Sequence, residues 1–398
     1  VSKLFQKITG KTSILENNIT KTAGSASSSL ASGIIFTIPA LYMWGMKPGL
    51  LKVTLIALGG GLIGVLFMIP LRRFLIKSEH GKLPYPEGIG SAEVLVAADT
   101  GGTSAKNVFW GLGIGFGYTF LVRIVKLFKG KIWVNIPFLK KGMIGMNTQP
   151  ALLGVGYILG FRISSIMVAG GLLSWIVLIP GLAYYGDAVG HAIYPGTELI
   201  ATMDPHQIWT TYIRYIGAGA VATAGFITLI KSIPTMVSSF KVGIQHIKEA
   251  RAGKKVDRTD DDLSLTVVLV GVGVIALILA IIPTVFNFSS SFFMRLLAAF
   301  LAAVFAFFFV TVSARIVGLV GVTSNPTSGM VIATLIFTSL IFMGIGLKGI
   351  DAKIATITVG GLVGCAASIA GDTSQDLKAG FLIGATPKKQ QIAELVGV

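Results

Sequence analysis

Long uncharged apolar runs separated by short polar segments make up most of the chain. They fall near 24–46, 50–71, 107–128, 163–185, 208–230, 264–286, 292–314, 328–347 and 354–371. Runs of about 18 residues or more match the ~30 Å hydrocarbon layer of a bilayer when coiled as α-helix. The pattern predicts an all-α fold: a polytopic helical transmembrane bundle with broken or re-entrant helices and an internal repeat. A soluble globular protein is excluded.

Orientation follows from the basic residues between the runs. Lys3, Lys7, Lys11 and Lys21 precede the first run, and Arg72, Arg73 and Lys77 follow the second, which predicts the cytoplasmic side for both. The segment 231–258 carries seven Lys and Arg side chains, among them Lys241, Arg251 and Lys254, so 231–263 reads as a cytoplasmic polar loop. The loop 186–207 has no Lys or Arg and belongs outside. All of 1–398 reads as one membrane domain.

One stretch resolves a conflict in this topology. If 107–128 began inside, Lys126, Lys129, Lys131, Lys140 and Lys141 would fall outside, against the charge rule, so 82–100 must cross as well. It begins Lys82-Leu-Pro-Tyr-Pro-Glu-Gly and contains Glu87 and Glu93. Irregular backbone survives at membrane depth only inside protein or beside a water-filled cavity, so a broken helix along a transport path is expected here. Gly318–Met330 and Gly371–Pro387 read as two further interrupted helices. Gly24, Ser27, Leu30 and Gly33 share the spacing of Gly371, Ser374, Leu377 and Gly380, the echo on which the repeat rests.

Composition agrees, with 53% hydrophobic and 13% charged residues among 398, against about 25% charged in a soluble domain. The 50 glycines allow close helix packing in lipid. The formal charge of +16 is explained by basic residues at the ends of apolar runs, so nucleic acid is not an expected partner. One cysteine, Cys365, builds neither a disulfide framework nor a Cys-based zinc site, and no metal site or cofactor is expected.

Nucleotide motifs fail. Gly10-Lys11-Thr12 lacks the earlier glycine of a phosphate-binding loop, because position 5 is Phe5. Gly271-Val-Gly-Val-Ile-Ala lies inside an apolar run with no strand before it. Asp260, Asp261 and Asp262 read as a solvated loop beside Arg258, and His80, His191, His206 and His246 as surface histidines. No enzyme is indicated.

Carboxylates at membrane depth are costly and mark ion or substrate paths. Asp372, Glu87, Asp376 and Glu93 are therefore the proton-coupling candidates, in that order of preference. The substrate-binding candidates are Asn17, Asn18, Ser27, Tyr85, Glu87, Asn325, Thr327, Ser328, Ser374 and Gln375; most offer groups able to hydrogen-bond a peptide-like backbone. The alternative is that the carboxylates pair with Lys82, Lys378 or helix ends and only hold the bundle together.

Four stretches together carry a resemblance. They are Ser13-Ile-Leu-Glu-Asn-Asn-Ile with Thr22–Ser27 and Ile35–Leu41; Lys82-Leu-Pro-Tyr-Pro-Glu-Gly; Gly318-Leu-Val-Gly with Asn325-Pro-Thr-Ser-Gly-Met; and Gly371-Asp-Thr-Ser-Gln-Asp-Leu-Lys-Ala-Gly with Gly384-Ala-Thr-Pro-Lys-Lys-Gln-Gln. The chain resembles the oligopeptide transporter family from residue 13 to residue 391, in its prokaryotic branch, nearer to yellow-stripe-like transporters than to the fungal peptide branch. The resemblance implies a secondary active transporter in the cytoplasmic membrane, importing small peptides with protons. Metal chelates are the alternative substrate, although the yellow-stripe-like branch typically has Ser where this chain has Glu87. An uncoupled channel or a structural membrane subunit is the alternative of another class. Protons, the lipid bilayer and a peptide or peptide-like chelate are the expected partners, and a homo-oligomer is a possible assembly. Family members have more spans than are read here, so further helices are expected before Ile14 and after Gln391.

Overall fold

The computed structural model describes residues 13–224, 227, 230, 257–287, 291–322 and 325–398, apart from the side chains of 104 and 105. The basic stretch 231–256, with His246, lies outside them. The chain divides into two compact units, 1–99 with 221–398, and 100–220.

The first unit opens with α1 (Ile14–Ala26), started by a capping box in which Ser13 and Glu16 each bond the other's backbone N–H. A 3-10 turn (Ser27–Ser29) leads into α2 (Leu30–Ile35), and Thr37 and Pro39 begin α3 (Ile38–Met43). The expected first span is thus a helix broken in two places. Helix α4 (Leu50–Arg72) widens into a π-turn over Arg73–Ser78.

Helix α5 (Pro86–Thr100) starts at a proline, whose fixed φ suits a first helical turn. The irregularity expected over 82–100 lies before this helix. Lys82–Tyr85 lead into it, and Tyr85 is held at φ +50 with no exposed surface. A helix of 15 residues rises only about 22 Å at 1.5 Å per residue, so α5 alone is shorter than a bilayer core.

The second unit contains α6 (Gly102–Arg123), strands β1 (Lys131–Asn135) and β2 (Met143–Asn147), and α7 (Pro150–Leu172) with a kink at Gly160, φ +73. A π-turn (Leu173–Leu178) continues into α8 (Ile179–Val189), and α9 (Pro205–Ile208) follows. The strands pair antiparallel with Trp133 opposite Gly145; this hairpin is an addition to the helical fold expected from the sequence. The Trp133, Trp175 and His206 rings lie 4.8–5.2 Å apart, so His206 is part of an aromatic cluster. Lys141 donates to the carbonyls of Ile200 and Ala201 at 2.6 and 2.8 Å, tying the loop after β1 to the segment before α9.

The first unit resumes after the undescribed stretch with α10 (Leu265–Ile281), α11 (Phe292–Val320), α12 (Thr327–Gly344), α13 (Gly349–Leu382) and α14 (Pro387–Gly397). The expected interruption at 318–330 is present: α11 stops at Gly321, φ +84, and α12 restarts after Pro326. The one expected at Gly371 is absent. Helix α13 runs unbroken for 34 residues and stops at Gly384, φ +70. No proline lies between 349 and 382. Its glycines serve instead as contact points, because α13 is the buried axis around which α1, α2, α4, α11, α12 and α14 pack.

Seven stretches among the described residues are long and apolar enough to cross a membrane: Ile14–Met43, Leu50–Ser78, Pro150–Val189, Arg258–Ile281, Phe292–Val320, Thr327–Gly344 and Gly349–Leu382. Two expected spans, 107–128 and 208–230, are not among them. The first becomes glycine-rich α6, and the second opens as α9 and a π-turn, Trp209–Ile213, and is only partly described.

The aspartates expected in a solvated loop are instead a clasp. Asp262 pairs with Arg72 at 3.4 Å and Arg73 at 3.1 Å, and accepts from Gln391 at 2.7 Å; Asp260 pairs with Lys77 at 2.7 Å. The ends of α4 and α13 and the starts of α10 and α14 therefore lie on one side of the bundle.

Candidate functional site

A polar seam runs between α13 and its neighbours in an otherwise apolar interior. Asp376, 1% exposed, is ion-paired with Lys21 of α1, and its other oxygen accepts from Ser25. Gln390 of α14 donates to the Asp376 carbonyl at 3.0 Å and to Thr22 at 3.2 Å, so α1, α13 and α14 meet at one residue. Further along α13, Ser368 donates to the carbonyl of Ser29, in the turn that follows α1, at 2.9 Å.

The broken end of α11 closes the seam from another direction. Gln375 donates to the Val317 carbonyl at 3.1 Å and accepts from the Gly88 N–H at 2.7 Å. The Glu87 carboxylate, in the first turn of α5, accepts from the Val322 N–H at 2.7 Å. Tyr85 donates its N–H to the Gly318 carbonyl at 2.8 Å. Asn325 donates to Ser313 at 3.0 Å and stands over Gly371, where a Cβ would come within 3.1 Å of the amide nitrogen. The tight α13 backbone is what lets these side chains converge.

Several polar atoms in this region are buried without a hydrogen-bond partner: both side-chain ends of Asn18, Oδ1 of Asn325, Oδ2 of Asp372 and Oε1 of Glu394. Such groups cost free energy unless something pairs with them, and they are the groups that a bound proton, water or polar ligand would satisfy.

Among the sequence candidates, Tyr85, Glu87, Asn325, Gln375, Asp372 and Asp376 converge here, and Ser374 is buried beside them with its hydroxyl bonded to the Gly371 carbonyl at 2.6 Å. Asn18 is wholly buried and Asn17 half-buried on α1. Thr327 and Ser328 begin α12, buried and half-buried. Glu93 and Ser27 are exposed, and no side-chain bond ties them to the seam. The alternative partners are otherwise engaged: Lys82 pairs with Glu79, and Lys378 contacts the His80 ring nitrogen at 2.8 Å.

The sequence alone did not single out Lys21, Ser25, Ser313, Thr373, Gln390 or Glu394. Lys21 counted only as an orientation mark. Glu394 sits in a short polar helix, and the available signal was the spacing of Gln390, Gln391 and Glu394, which places Gln390 and Glu394 one turn apart on one face.

A helical bundle with several membrane-length apolar helices and a buried seam of carboxylates, amides and hydroxyls defines a polytopic membrane protein with a polar interior. The family model described as "OPT oligopeptide transporter protein" matches residues 1–398, and the chain belongs to that family of transporters. It is 30% identical to "Putative oligopeptide transporter" of Haemophilus influenzae over all of this chain and 64% of that protein. It is 25% identical to "Probable metal-nicotianamine transporter YSL12" of Oryza sativa subsp. japonica, over 84% of this chain and 48% of that protein. Identity to "Putative oligopeptide transporter YGL114W" of Saccharomyces cerevisiae is 27%, over 63% of this chain and 38% of that protein. The chain thus spans less than two thirds of the length of each of these relatives.

Proposed function

We propose that the full-length protein containing this chain is a proton-coupled symporter of small oligopeptides in the cell membrane. One observation carries this reading: the buried seam gathers Asp372, Asp376, Glu394 and Glu87 around one ammonium, Lys21, so charge can change there with proton binding. Amides and hydroxyls beside the carboxylates suit a peptide backbone. In this reading 1–398 forms one membrane domain and 231–263 faces the cytoplasm. A metal-chelate substrate is the second reading, favoured by the name of the Oryza relative; the same amides and hydroxyls suit a peptide-like chelator.

Uptake into proteoliposomes tests it, using the full-length protein and a library of short peptides offered with and without metals under an imposed pH gradient. Saturable accumulation of metal-free peptide above the outside concentration is expected. Accumulation only with metal supports the chelate reading. Non-saturating flux that never exceeds equilibrium overturns both in favour of a channel.

A further inference from the structure

Glu394 has no exposed surface, accepts from the Thr373 hydroxyl at 3.2 Å through Oε2, and has no partner for Oε1. Asp372, the residue before Thr373, also keeps a buried oxygen, Oδ2, without a partner and lies within Coulombic reach of Glu394. We propose that Asp372 and Glu394 share one exchangeable proton, carried on Glu394, and that this pair is the proton site of the transporter. The inference rests on the symport reading and names its carrier.

Charge balance across the packed elements supports the pair. Lys21 of α1 feels Asp372, Glu394 and Glu87 and is bonded directly to Asp376. Four carboxylates from α5, α13 and α14 thus face one ammonium. Asp376 is bonded to Lys21 and Ser25, and Glu87 to the Val322 amide; Asp372 takes a hydrogen bond from Ser29 and Glu394 one from Thr373, and both feel Lys21 only at a distance, with no ion pair of their own. Helix α4, which also packs against α14, brings Val65 into an apolar contact with Leu395 and Val398 and supplies no charge there. Two carboxylates within Coulombic reach of one another, each with a buried oxygen that lacks a partner, favour the state in which one of them holds a proton, and that proton titrates as a property of the pair.

The step balances simply. A hydronium ion on one side breaks one of its O–H bonds to give a proton to a carboxylate oxygen, leaving water as the new O–H bond forms; on the other side that bond breaks and a water takes the proton to become hydronium. Helix α14 is joined to α13 through Gly384 at φ +70, and a movement of α14 about this joint would shift Glu394 relative to Asp372 and change their shared affinity for the proton.

The test uses full-length wild type, Glu394→Gln, Glu394→Asp and Asp372→Asn, with two measurements. Infrared difference spectra between acidic and alkaline buffer should show a protonated-carboxyl C=O band that is lost in Glu394→Gln, shifted in Asp372→Asn and retained in Glu394→Asp. In proteoliposomes, the ratio of pH-driven accumulation to substrate counterflow should fall at least tenfold in Glu394→Gln and recover in part in Glu394→Asp. An unchanged band and a wild-type ratio in Glu394→Gln overturn the inference. Failure of wild type itself to concentrate any substrate overturns the symport reading instead, and the infrared band then still decides whether the pair holds a proton.

Discussion

The Glu87 carboxylate accepts the Val322 N–H at 2.7 Å, so the first turn of α5 caps the backbone just past the broken end of α11. A carboxylate in a first helical turn is favoured by the helix dipole, and a hydrogen bond to a charged group contributes about 1.5–3 kcal/mol. Glu87→Ala should therefore destabilise the protein by roughly that amount, and Glu87→Gln, which keeps an acceptor, by less. Thermal unfolding in detergent measures the difference; equal melting temperatures for both variants and wild type would remove the capping role.

Gly33 and Gly24 lie on the same broken span but should respond in opposite ways. A Cβ on Gly33 would stand 2.2 Å from the backbone nitrogen of Cys365, whereas one on Gly24 meets nothing within 4 Å. Gly33→Ala should cost about 1–3 kcal/mol by overpacking. Gly24→Ala should be neutral or stabilise by up to about 1 kcal/mol, the helix preference of Ala over Gly. Unfolding midpoints of the two variants side by side check the contrast.

Arg72 is 2% exposed and depends on Asp262 and on the Thr259 carbonyl, to which it donates at 2.8 Å. Removing the carboxylate leaves a buried guanidinium uncompensated, so Asp262→Ala should cost about 3–5 kcal/mol. The pair Arg72→Met with Asp262→Leu should restore most of it, since apolar side chains replace a buried ion pair with little loss. A double-mutant cycle on stability decides, and additive losses would show that the two residues act separately.

Topology can be read by thiol labelling. Cys365 is fully buried, with its sulfur 3.6 Å from the Leu30 carbonyl, so Cys365→Ala should give a silent background. On that background Lys254→Cys should label only from the cytoplasm and Tyr194→Cys, 93% exposed, only from outside. Labelling of position 254 from outside defeats the orientation.

How far the sequence led depends on the kind of signal. The break between α11 and α12 was legible because Gly321, Asn325 and Pro326 act locally, through backbone conformation. The same logic misplaced a break at Gly371, where Gly-Asp-Thr-Ser resembles a turn but is held helical by neighbours on several sides of α13. Asp372, Asp376 and Glu87 were found because charge inside an apolar sequence is visible without a fold. Glu394 was not, because its own helix is polar and only packing against α1 and α13 removes it from water.

Hydropathy by itself determined that this is a membrane bundle and where seven of its long helices run, since the requirement that backbone be satisfied in hydrocarbon acts on each segment alone. Its family was legible in four short stretches. Only the tertiary structure decided that Lys21 belongs with Asp376, that Asp262 closes on Arg72 and Gln391, and that Asp372 and Glu394 face one another's field across two helices. These pairs join residues from 22 to 355 positions apart, and a Coulomb or hydrogen-bond energy depends on ångström separations that no spacing along the chain encodes.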